Sequence, residues 1–433
     1  MRLFGTMNIE QNGNLSIGGC STSELAKQFG TPLYVVDEAL IRQNCRLFKN
    51  SFVKNGMETE VIYASKAFLN MAICKIIMEE GLSLDVVSGG ELFTALKAGF
   101  PAEKIYFHGN NKTAAELKMA IEAGVGRIVA DNLHELELIE ELCQQKDKRV
   151  NILFRVNPGI EAHTHEYIQT SKNDSKFGES IFSDRIMEII EKLKEHSHIH
   201  FKGLHCHIGS QIFQEESFYS AAVVMLEFVA QLKRDFDLTI EELNLGGGFG
   251  VYYSEDDAPI NLQTCLQNLL GMIWDQASRL NIKLPKLMIE PGRAIIANAG
   301  TTLYEVGAVK QTFGGRNYIF VDGGMTDNPR TALYDARYDA LIANKAAAEN
   351  TETYTIAGKC CESGDILIKD IVLPQAQKGD IIAVMSTGAY NYSMASNYNR
   401  IPRPAVVFAK EGKAVIAVKR ETYEDILRND IMI

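Results

Sequence analysis

The sequence contains no run of about 18 apolar residues, the length that a membrane-spanning helix needs. Its first residues, MRLFGTMNIEQNGN, also lack the apolar core of a signal peptide. We therefore expect no membrane association and take the cytoplasm as the default compartment. No repeat or low-complexity segment is visible, and with 46% hydrophobic and 23% charged residues the chain is neither fibrous nor disordered.

The cysteines are scattered along the sequence, and the 44 basic residues are outnumbered by 55 acidic ones. Of the eight cysteines only Cys360 and Cys361 are adjacent, which is not the pattern of a disulfide framework. The net charge is -11 and the isoelectric point is near 5.4. A nucleic-acid-binding surface needs clustered lysine and arginine, so we expect no nucleic-acid partner.

A chain of 433 residues is too long for one ordinary domain and suggests two. After a helical segment over about 38–52, short β-rich runs alternate with amphipathic helical ones, which predicts a parallel sheet with helical crossovers. Eight such runs favour a (β/α)8 TIM-type barrel over an open doubly wound sheet, and we predict it over residues 36–290. The runs are VIYAS from Val61, LDVVS from Leu84, IYFHG from Ile105, RIVAD from Arg127, NILFRVN from Asn151, HFKGLHCHIG from His200, ELNLGGG from Glu242 and KLMIEPG from Lys286.

The pattern changes from Leu303 onward, where β-branched runs are separated by Gly- and Asp-containing turns. This is typical of an all-β domain of sandwich or barrel type. The strand-like GNLSIGG and TPLYVVD near the N-terminus fit the same domain, so we assign residues 1–35 and 291–433 to it.

Polar residues follow the predicted strands at the end where such barrels place their active sites. GGGFG follows the seventh strand and EPGR the eighth, and backbone N–H groups bind phosphate oxygens well where no Cβ intrudes. We therefore predict a phosphate-bearing ligand. Lys66 on the same rim indicates Schiff-base chemistry, because partial desolvation favours the neutral amine. Other polar residues at strand ends are Asp85, Ser88, His108, Asp131, Arg155, Asn157, His205 and His207.

All nine histidines lie between residues 108 and 207, and five of them surround the sixth strand. The His-x-His spacing of His205 and His207 is a known metal-ligand spacing. No histidine follows His207, and no cysteine or carboxylate cluster in the sequence supplies the rest of a coordination shell around that pair. We therefore expect no metal.

With Lys66 in YASKAF, His207 in HCHIGSQ, the GGGFG run and EPGR, the chain resembles the pyridoxal phosphate decarboxylases with an alanine-racemase-like barrel. Within them it is most similar to the branch that acts on diaminopimelate. The resemblance runs from TPLYVVDE at Thr31 to NYNRIPRPA near the C-terminus. It implies pyridoxal 5'-phosphate as cofactor and decarboxylation of meso-2,6-diaminopimelate to L-lysine and CO2, the last step of lysine synthesis. It also implies a homodimer with shared active sites.

The resemblance also implies roles for particular residues. Lys66 would hold the coenzyme as a Schiff base, Glu290 would keep the pyridine nitrogen protonated, and His207 would stack on the ring. The remaining coenzyme contacts would come from Ser210, Gly247, Gly248, Gly292, Arg293 and Tyr390.

The substrate would be bound at its distal end by Arg330, Tyr334 and Glu362, with Tyr390 nearby. Arg293 would serve the phosphate, a substrate carboxylate, or both. The proton returned after loss of CO2 would come from Cys361 or from Lys66. Three positions depart from the usual family pattern in ways that concern loop geometry only: Ser171, Thr331 and Arg400.

Other activities remain open. A relative acting on ornithine, arginine or carboxynorspermidine would need a carboxylate for a cationic tail and would have little use for Arg330. The segment HEYIQTSKNDSKFG at 165–178 also favours diaminopimelate. Alanine racemase usually uses a tyrosine as its second catalytic group, and CESGD is not its motif. A non-enzymatic pyridoxal phosphate carrier is a barrel alone, without the β-rich C-terminal part.

Overall fold

The computed structural model describes residues 2–160 and 175–433. Most of the segment at 165–178, with Ser171, lies outside the described residues. The chain divides into two compact units. The barrel unit comprises Cys45–Gly250 and Pro259–Gly292; the β unit comprises Met1–Asn44, Val251–Ala258 and Arg293–Ile433. The sequence pattern gives no signal that Val251–Ala258 groups with the β unit.

The N-terminal part of the β unit begins with a small antiparallel sheet of three short strands. Its strands are β1 (Asn8–Ile9), β2 (Leu15–Ile17) and β3 (Cys20–Ser21), followed by α1 (Thr22–Phe29), β4 (Leu33–Asp37) and α2 (Glu38–Ser51).

Eight parallel strands of the barrel unit close on one another, which confirms the predicted (β/α)8 barrel. Each predicted run overlaps one of these strands. The strands are β5 (Thr59–Ala64), β6 (Ser83–Val86), β7 (Ile105–Phe107), β8 (Arg127–Ala130), β9 (Val150–Asn157), β11 (Ile199–His205), β12 (Glu242–Asn244) and β13 (Lys286–Ile289), while β10 (Glu179–Ser180) pairs with β9 alone.

The helices of the barrel unit begin and end where local side chains favour it. Asn70, Ser88 and Asn132 each accept a backbone N–H as helix N-caps, and Thr113 forms a capping box with Glu116. Within the described residues, none of the helices combines the length and apolar character needed to cross a bilayer. They are α3 (Met71–Glu79), α4 (Gly89–Lys97), α5 (Ala114–Ala123), α6 (Leu133–Lys146), α7 (Asp184–Glu195), α8 (Glu215–Phe236) and α9 (Leu262–Arg279).

Two polar clusters lie at the N-terminal ends of the barrel strands, below an apolar interior layer. Glu60 lies 2.5 Å from Lys286 Nζ and accepts from Tyr106 at 2.8 Å. Burial raises the pKa of Glu60, but the hydrogen bonds from Lys286, Ser83 and Tyr106 and the charge of Lys286 together outweigh it, and the net shift is downward. Arg127 donates from Nε to Glu242 at 2.7 Å and makes a second bond through Nη2. This end of a TIM barrel commonly contributes stability rather than chemistry.

Replacing Glu242 with glutamine is expected to lower the free energy of unfolding by about 3 kcal/mol, because it leaves the Arg127 guanidinium partly buried without its counter-charge. Urea unfolding followed by fluorescence of Trp274, the single tryptophan, would measure this loss. Glu241→Gln is the matched control, since its half-exposed pair with Lys202 is worth at most about 1 kcal/mol. Equal losses in both variants would contradict the prediction.

The main sheet of the β unit contains nine strands. Seven lie in the order β18-β17-β15-β14-β4-β20-β21; β19 also pairs with β14, and β16 pairs with β19. The N-terminal strand β4 pairs with both β14 and β20, so the sheet joins the two ends of the chain. The strand β16 was not predicted. The strands are β14 (Gly300–Gln311), β15 (Asn317–Val321), β16 (Ala340–Ile342), β17 (Glu352–Ala357), β18 (Ile366–Leu373), β19 (Ile381–Val384), β20 (Ala405–Lys410) and β21 (Lys413–Val418), with short helices α10 (Arg293–Ile296), α11 (Arg330–Tyr334) and α12 (Tyr423–Leu427).

Candidate active site

Lys66 lies in a short 3-10 turn directly after β5, with its side chain exposed. The turn is braced on both sides. The Tyr63 hydroxyl donates to the Phe68 carbonyl at 2.8 Å, and the buried Ser65 hydroxyl donates to Glu91 at 2.9 Å. The amine is thereby presented from a fixed backbone at the C-terminal end of the barrel.

Glu290 follows β13 and is buried among three nitrogen-bearing side chains. Asn244 Nδ2 donates to its Oε1 at 2.7 Å, and His205 Nε2 lies 3.1 Å from its Oε2. His108 Nε2 is 2.8 Å from Oε1. Burial raises the pKa of Glu290, but the two imidazoles outweigh it and hold that pKa well below its usual range. The carboxylate is therefore ionised.

Two histidines of the rim are neutral. Burial lowers the pKa of His205 to about 4. Burial and then the charge of Lys66 lower the pKa of His207 well below its usual range. The backbone N–H of Gly247 donates to His207 Nδ1 at 3.2 Å, so the ring proton of His207 is on Nε2. A neutral ring in a fixed orientation is suited to packing against a flat ligand.

The glycine run after β12 leaves no room for side chains. A Cβ at Gly247 would lie 2.1 Å from the carbonyl oxygen of Glu290, and one at Gly248 would lie 2.5 Å from that of Gly209. Gly248 also has a φ of +114°, which L-residues rarely adopt. The backbone here is consequently bare, as close approach of a phosphate requires.

Two further predicted coenzyme contacts, Ser210 and Gly292, lie in the barrel unit. Ser210 precedes Ile212, whose N–H donates to the Gly248 carbonyl at 2.9 Å and so ties the Ser210 loop to the glycine run. A Cβ at Gly292 would lie 2.9 Å from the Cβ of Ala64. The backbone at Ser210 is thus held close to the glycine run, and the backbone at Gly292 lies against Ala64 at the end of β5.

These groups fit pyridoxal phosphate. The rim offers an amine for an aldehyde, an ionised carboxylate for a protonated ring nitrogen, and bare backbone for a phosphate. Among residues 2–160 and 175–433, the buried atoms Asp85 Oδ1 and His205 Nδ1 have no hydrogen-bond partner, which leaves polar atoms for a ligand. Burial raises the pKa of Asp85 to about 7.

The argument from sequence against a metal was partly wrong. It found no carboxylate for His205, but the structure brings Glu290 to it, and ligand atoms of His108, His205 and Glu290 lie within 4.8 Å of one another. His207 is instead bonded to Gly247. Both imidazoles already contact the carboxylate, which accounts for the grouping of the three side chains without a metal. The absence of a metal stays a prediction.

A second cluster lies entirely within the β unit. Two buried arginines, Arg293 and Arg330, lie among aromatic rings. Arg293 donates to the Tyr253 hydroxyl at 2.6 Å and lies 4.7 Å from the ring centroid of Tyr390. Arg330 donates to the Tyr338 hydroxyl at 3.0 Å. Tyr390 has a φ of +61° in the loop that supplies it.

Arg330 carries a buried charge that the β unit itself does not neutralise. Its guanidinium lies 5.8 Å from the ring of Tyr334 and 5.2 Å from that of Tyr253. In the part of the chain that the structure describes, no carboxylate lies within ion-pairing distance of it. A buried cation in such surroundings is a strong binding group for an anion.

Cys361 and Glu362 lie on an exposed loop of the β unit. The buried Asp365 holds the loop by accepting a hydrogen bond from the N–H of Cys360 at 2.7 Å. The N–H of Cys361 donates to Asn399 at 2.7 Å. Hydrogen bonds therefore hold the backbone of the loop, and the side chains of Cys361 and Glu362 are exposed.

Several residues of these clusters had no predicted role, among them Asn244, which donates to Glu290. Tyr253 lies three residues after GGGFG, and Tyr338 lies eight after Arg330, without a distinctive pattern around either. His108 was noted at a strand end, but its contact with Glu290 depends on barrel closure. Only a three-dimensional arrangement could have linked these residues to the site.

A family model described as "Pyridoxal-dependent decarboxylase, pyridoxal binding domain" matches residues 38–297. This family match, together with the barrel and its polar rim, shows that the chain belongs to the pyridoxal-dependent decarboxylases. Diaminopimelate decarboxylase of Bacillus subtilis (strain 168) is 50% identical over 431 residues, covering 100% of this chain and 98% of the relative. That of Bacillus methanolicus is 51% identical over 421 residues, covering 97% and 98%. The crystal structure of the M. jannaschii enzyme in co-complex with L-lysine has a TM-score of 0.93 at 35% identity, covering 99% and 98%.

The chain belongs to the diaminopimelate decarboxylase family.

Proposed function

We propose that the protein decarboxylates meso-2,6-diaminopimelate to L-lysine and CO2, with pyridoxal 5'-phosphate at the C-terminal end of the barrel. The observation that carries the substrate assignment is Arg330, a buried guanidinium without a carboxylate partner among the described residues. Diaminopimelate has a second amino-acid head at its non-reacting end, and the carboxylate of that head matches a guanidinium in bidentate fashion. Ornithine and arginine have no such carboxylate.

Most of the proposed coenzyme contacts come from the barrel unit. Lys66 provides the amine that binds its aldehyde, and ionised Glu290 keeps its ring nitrogen protonated. Neutral His207 packs on the ring face. Bound pyridoxal phosphate supplies the electron sink for the charge left when CO2 departs. We propose that Ser210, Gly247, Gly248 and Arg293 surround the phosphate. Gly292 of the barrel unit and Tyr390 of the β unit would supply further coenzyme contacts.

The β unit recognises the distal head of the substrate. Arg330 binds its carboxylate, Tyr334 lies beside Arg330, and Glu362 accepts from its ammonium group. Arg293 and Tyr390 border the same cluster. A substrate that lacks either charged group on the distal head loses one of these contacts.

The protein acts as a homodimer in which the Cys361–Glu362 loop of one chain completes the barrel site of the other. Exposure of Cys361 and Glu362 in the single chain supports this arrangement. Either Cys361 or Lys66 returns the proton to the carbon from which CO2 has left.

The substrate is tested by offering the purified protein meso-diaminopimelate, ornithine and arginine separately and measuring CO2 release. Diaminopimelate is expected to be consumed far faster than the others. Arg330→Ala is expected to weaken its transition-state binding by about 2–4 kcal/mol, because a bidentate contact to a charged group is lost in a desolvated site. Binding of a diamine without carboxylates should change little.

Arg337→Ala is the matched control, because Arg337 is exposed and pairs with Asp256 away from the arginine cluster. It should leave turnover unchanged. If Arg330→Ala used diaminopimelate as well as the unmodified protein, a substrate with a cationic tail would replace diaminopimelate in this assignment.

A further inference from the structure

Two buried phenols each hold one of the two buried arginines of the β unit. Tyr253 accepts from Arg293 Nη1 at 2.6 Å, and Tyr338 accepts from Arg330 Nη1 at 3.0 Å. The side chains of all four residues are at most 7% exposed. The proposed roles of Arg293 and Arg330 in binding phosphate and carboxylate do not explain why each guanidinium also donates to a buried tyrosine hydroxyl.

The Tyr253 ring also contacts both guanidiniums. Their central carbons lie 5.7 Å (Arg293) and 5.2 Å (Arg330) from the ring centroid, within the range of cation–π attraction. Two buried like charges repel each other strongly when water is excluded. The electron-rich ring face and hydroxyl oxygen reduce that cost while the two charged groups stay near each other.

Tyr338 links Arg330 to the β unit's backbone. Its hydroxyl donates to Asn391 Oδ1 at 3.2 Å, and Asn391 Nδ2 donates to the Thr387 carbonyl at 3.2 Å. The rings of Tyr338 and Tyr253 meet edge to face at 5.5 Å. The orientation of Arg330 is therefore set by a chain of contacts that ends on the main chain.

The electrostatic potential at Tyr253 is positive because Arg293 and Arg330 lie beside it. Burial raises the pKa of this phenol, but the charges of Arg293 and Arg330 outweigh it and lower that pKa. An anion bound beside the two arginines would be stabilised by the same field.

We propose that Tyr253 and Tyr338 are positioning residues that fix the two guanidiniums and thereby let the site distinguish a ligand with a carboxylate at its non-reacting end from one without it. This inference rests on the proposed function. L-lysine retains one carboxylate of diaminopimelate, whereas cadaverine is the same chain with none. The ratio of their affinities therefore reports carboxylate recognition separately from binding of the amine and the alkyl chain.

The test measures dissociation constants of both ligands by calorimetry on the coenzyme-loaded protein, and KM and kcat for meso-diaminopimelate. Tyr338→Phe is expected to weaken lysine binding about tenfold, the effect of losing one hydrogen bond to a charged group, and to leave cadaverine unchanged. Tyr253→Phe should weaken lysine in the same sense. In both variants KM should rise more than kcat falls.

Tyr252→Phe is the matched control. Tyr252 adjoins Tyr253 in sequence, but its hydroxyl contacts Asp339 rather than an arginine. It should leave the lysine-to-cadaverine ratio unchanged. Because each phenol is removed separately, either variant decides the question if the other fails to fold.

Unchanged lysine binding in the Tyr variants, or equal weakening of both ligands, would overturn the positioning role while leaving the proposed function intact. Failure of the unmodified protein to bind lysine or to release CO2 from diaminopimelate would instead overturn the proposed function, and this inference with it.

Discussion

Lys66→Ala is expected to abolish CO2 release and to eliminate the visible absorbance of the protein-bound coenzyme that borohydride bleaches in the unmodified protein. In the proposed function the Lys66 amine would bind the coenzyme aldehyde, and alanine has no nucleophile to replace it. The turn that carries Lys66 is braced by Tyr63 and Ser65, neither of which bonds through the lysine side chain. The variant should therefore fold normally, and circular dichroism would check this.

Lys66→Arg is the control for charge. It keeps the positive charge near Asp85 and His207, but a guanidinium does not form the reducible bond, so it should be as inactive as the alanine variant. Lys75→Ala on the exposed face of α3 should keep both activity and absorbance. A Lys66→Ala protein that remained yellow through a borohydride-reducible bond would place the attachment on another lysine.

If Cys361 rather than Lys66 returns the proton, Lys66→Ala and Cys361→Ala chains are each inactive alone. A mixture of equal amounts of the two, unfolded together and refolded, is then expected to recover about a quarter of the unmodified activity. If sites are shared, a mixed dimer has one site with both lesions and one intact site. Random pairing makes half of the dimers mixed, and half of their sites are intact.

The control is the same mixture without joint unfolding, which should stay inactive as long as the dimers do not exchange. Refolding the unmodified protein alone gives the recoverable maximum. If each site were built within one chain, every site would carry one lesion, and joint refolding would restore nothing. That result would refute the shared site.

The barrel could be predicted from sequence because its signals are local. Each β run is short and apolar, and the helices after the first three runs end near a glycine in left-handed conformation, at Gly81, Gly99 and Gly124. The glycine run after β12 also signals bare backbone by its composition alone. These properties depend on neighbours a few residues away.

The parts that could not be predicted depend on distant pairings. The contact between His108 and Glu290 joins residues 182 positions apart, and nothing near either one indicates the other. The segment Val251–Ala258 reads as a loop of the barrel but belongs to the β unit, where Tyr253 meets Arg293. Strand β16 is only three residues long and has too few residues to show a period.

The Glu60 and Glu242 clusters lie at the opposite end of the barrel strands from Lys66 and Glu290. The groups that stabilise the barrel and the groups that carry its chemistry thus draw on separate sets of side chains. Substitutions far apart and without shared partners have nearly additive effects. Residues around Lys66 and Glu290 can therefore be redesigned without loss of the Glu60–Lys286 and Arg127–Glu242 pairs. Substitutions that strengthen the pairs at the N-terminal ends of the strands would raise the free energy of unfolding. That gain would offset destabilising substitutions near Lys66 and Glu290.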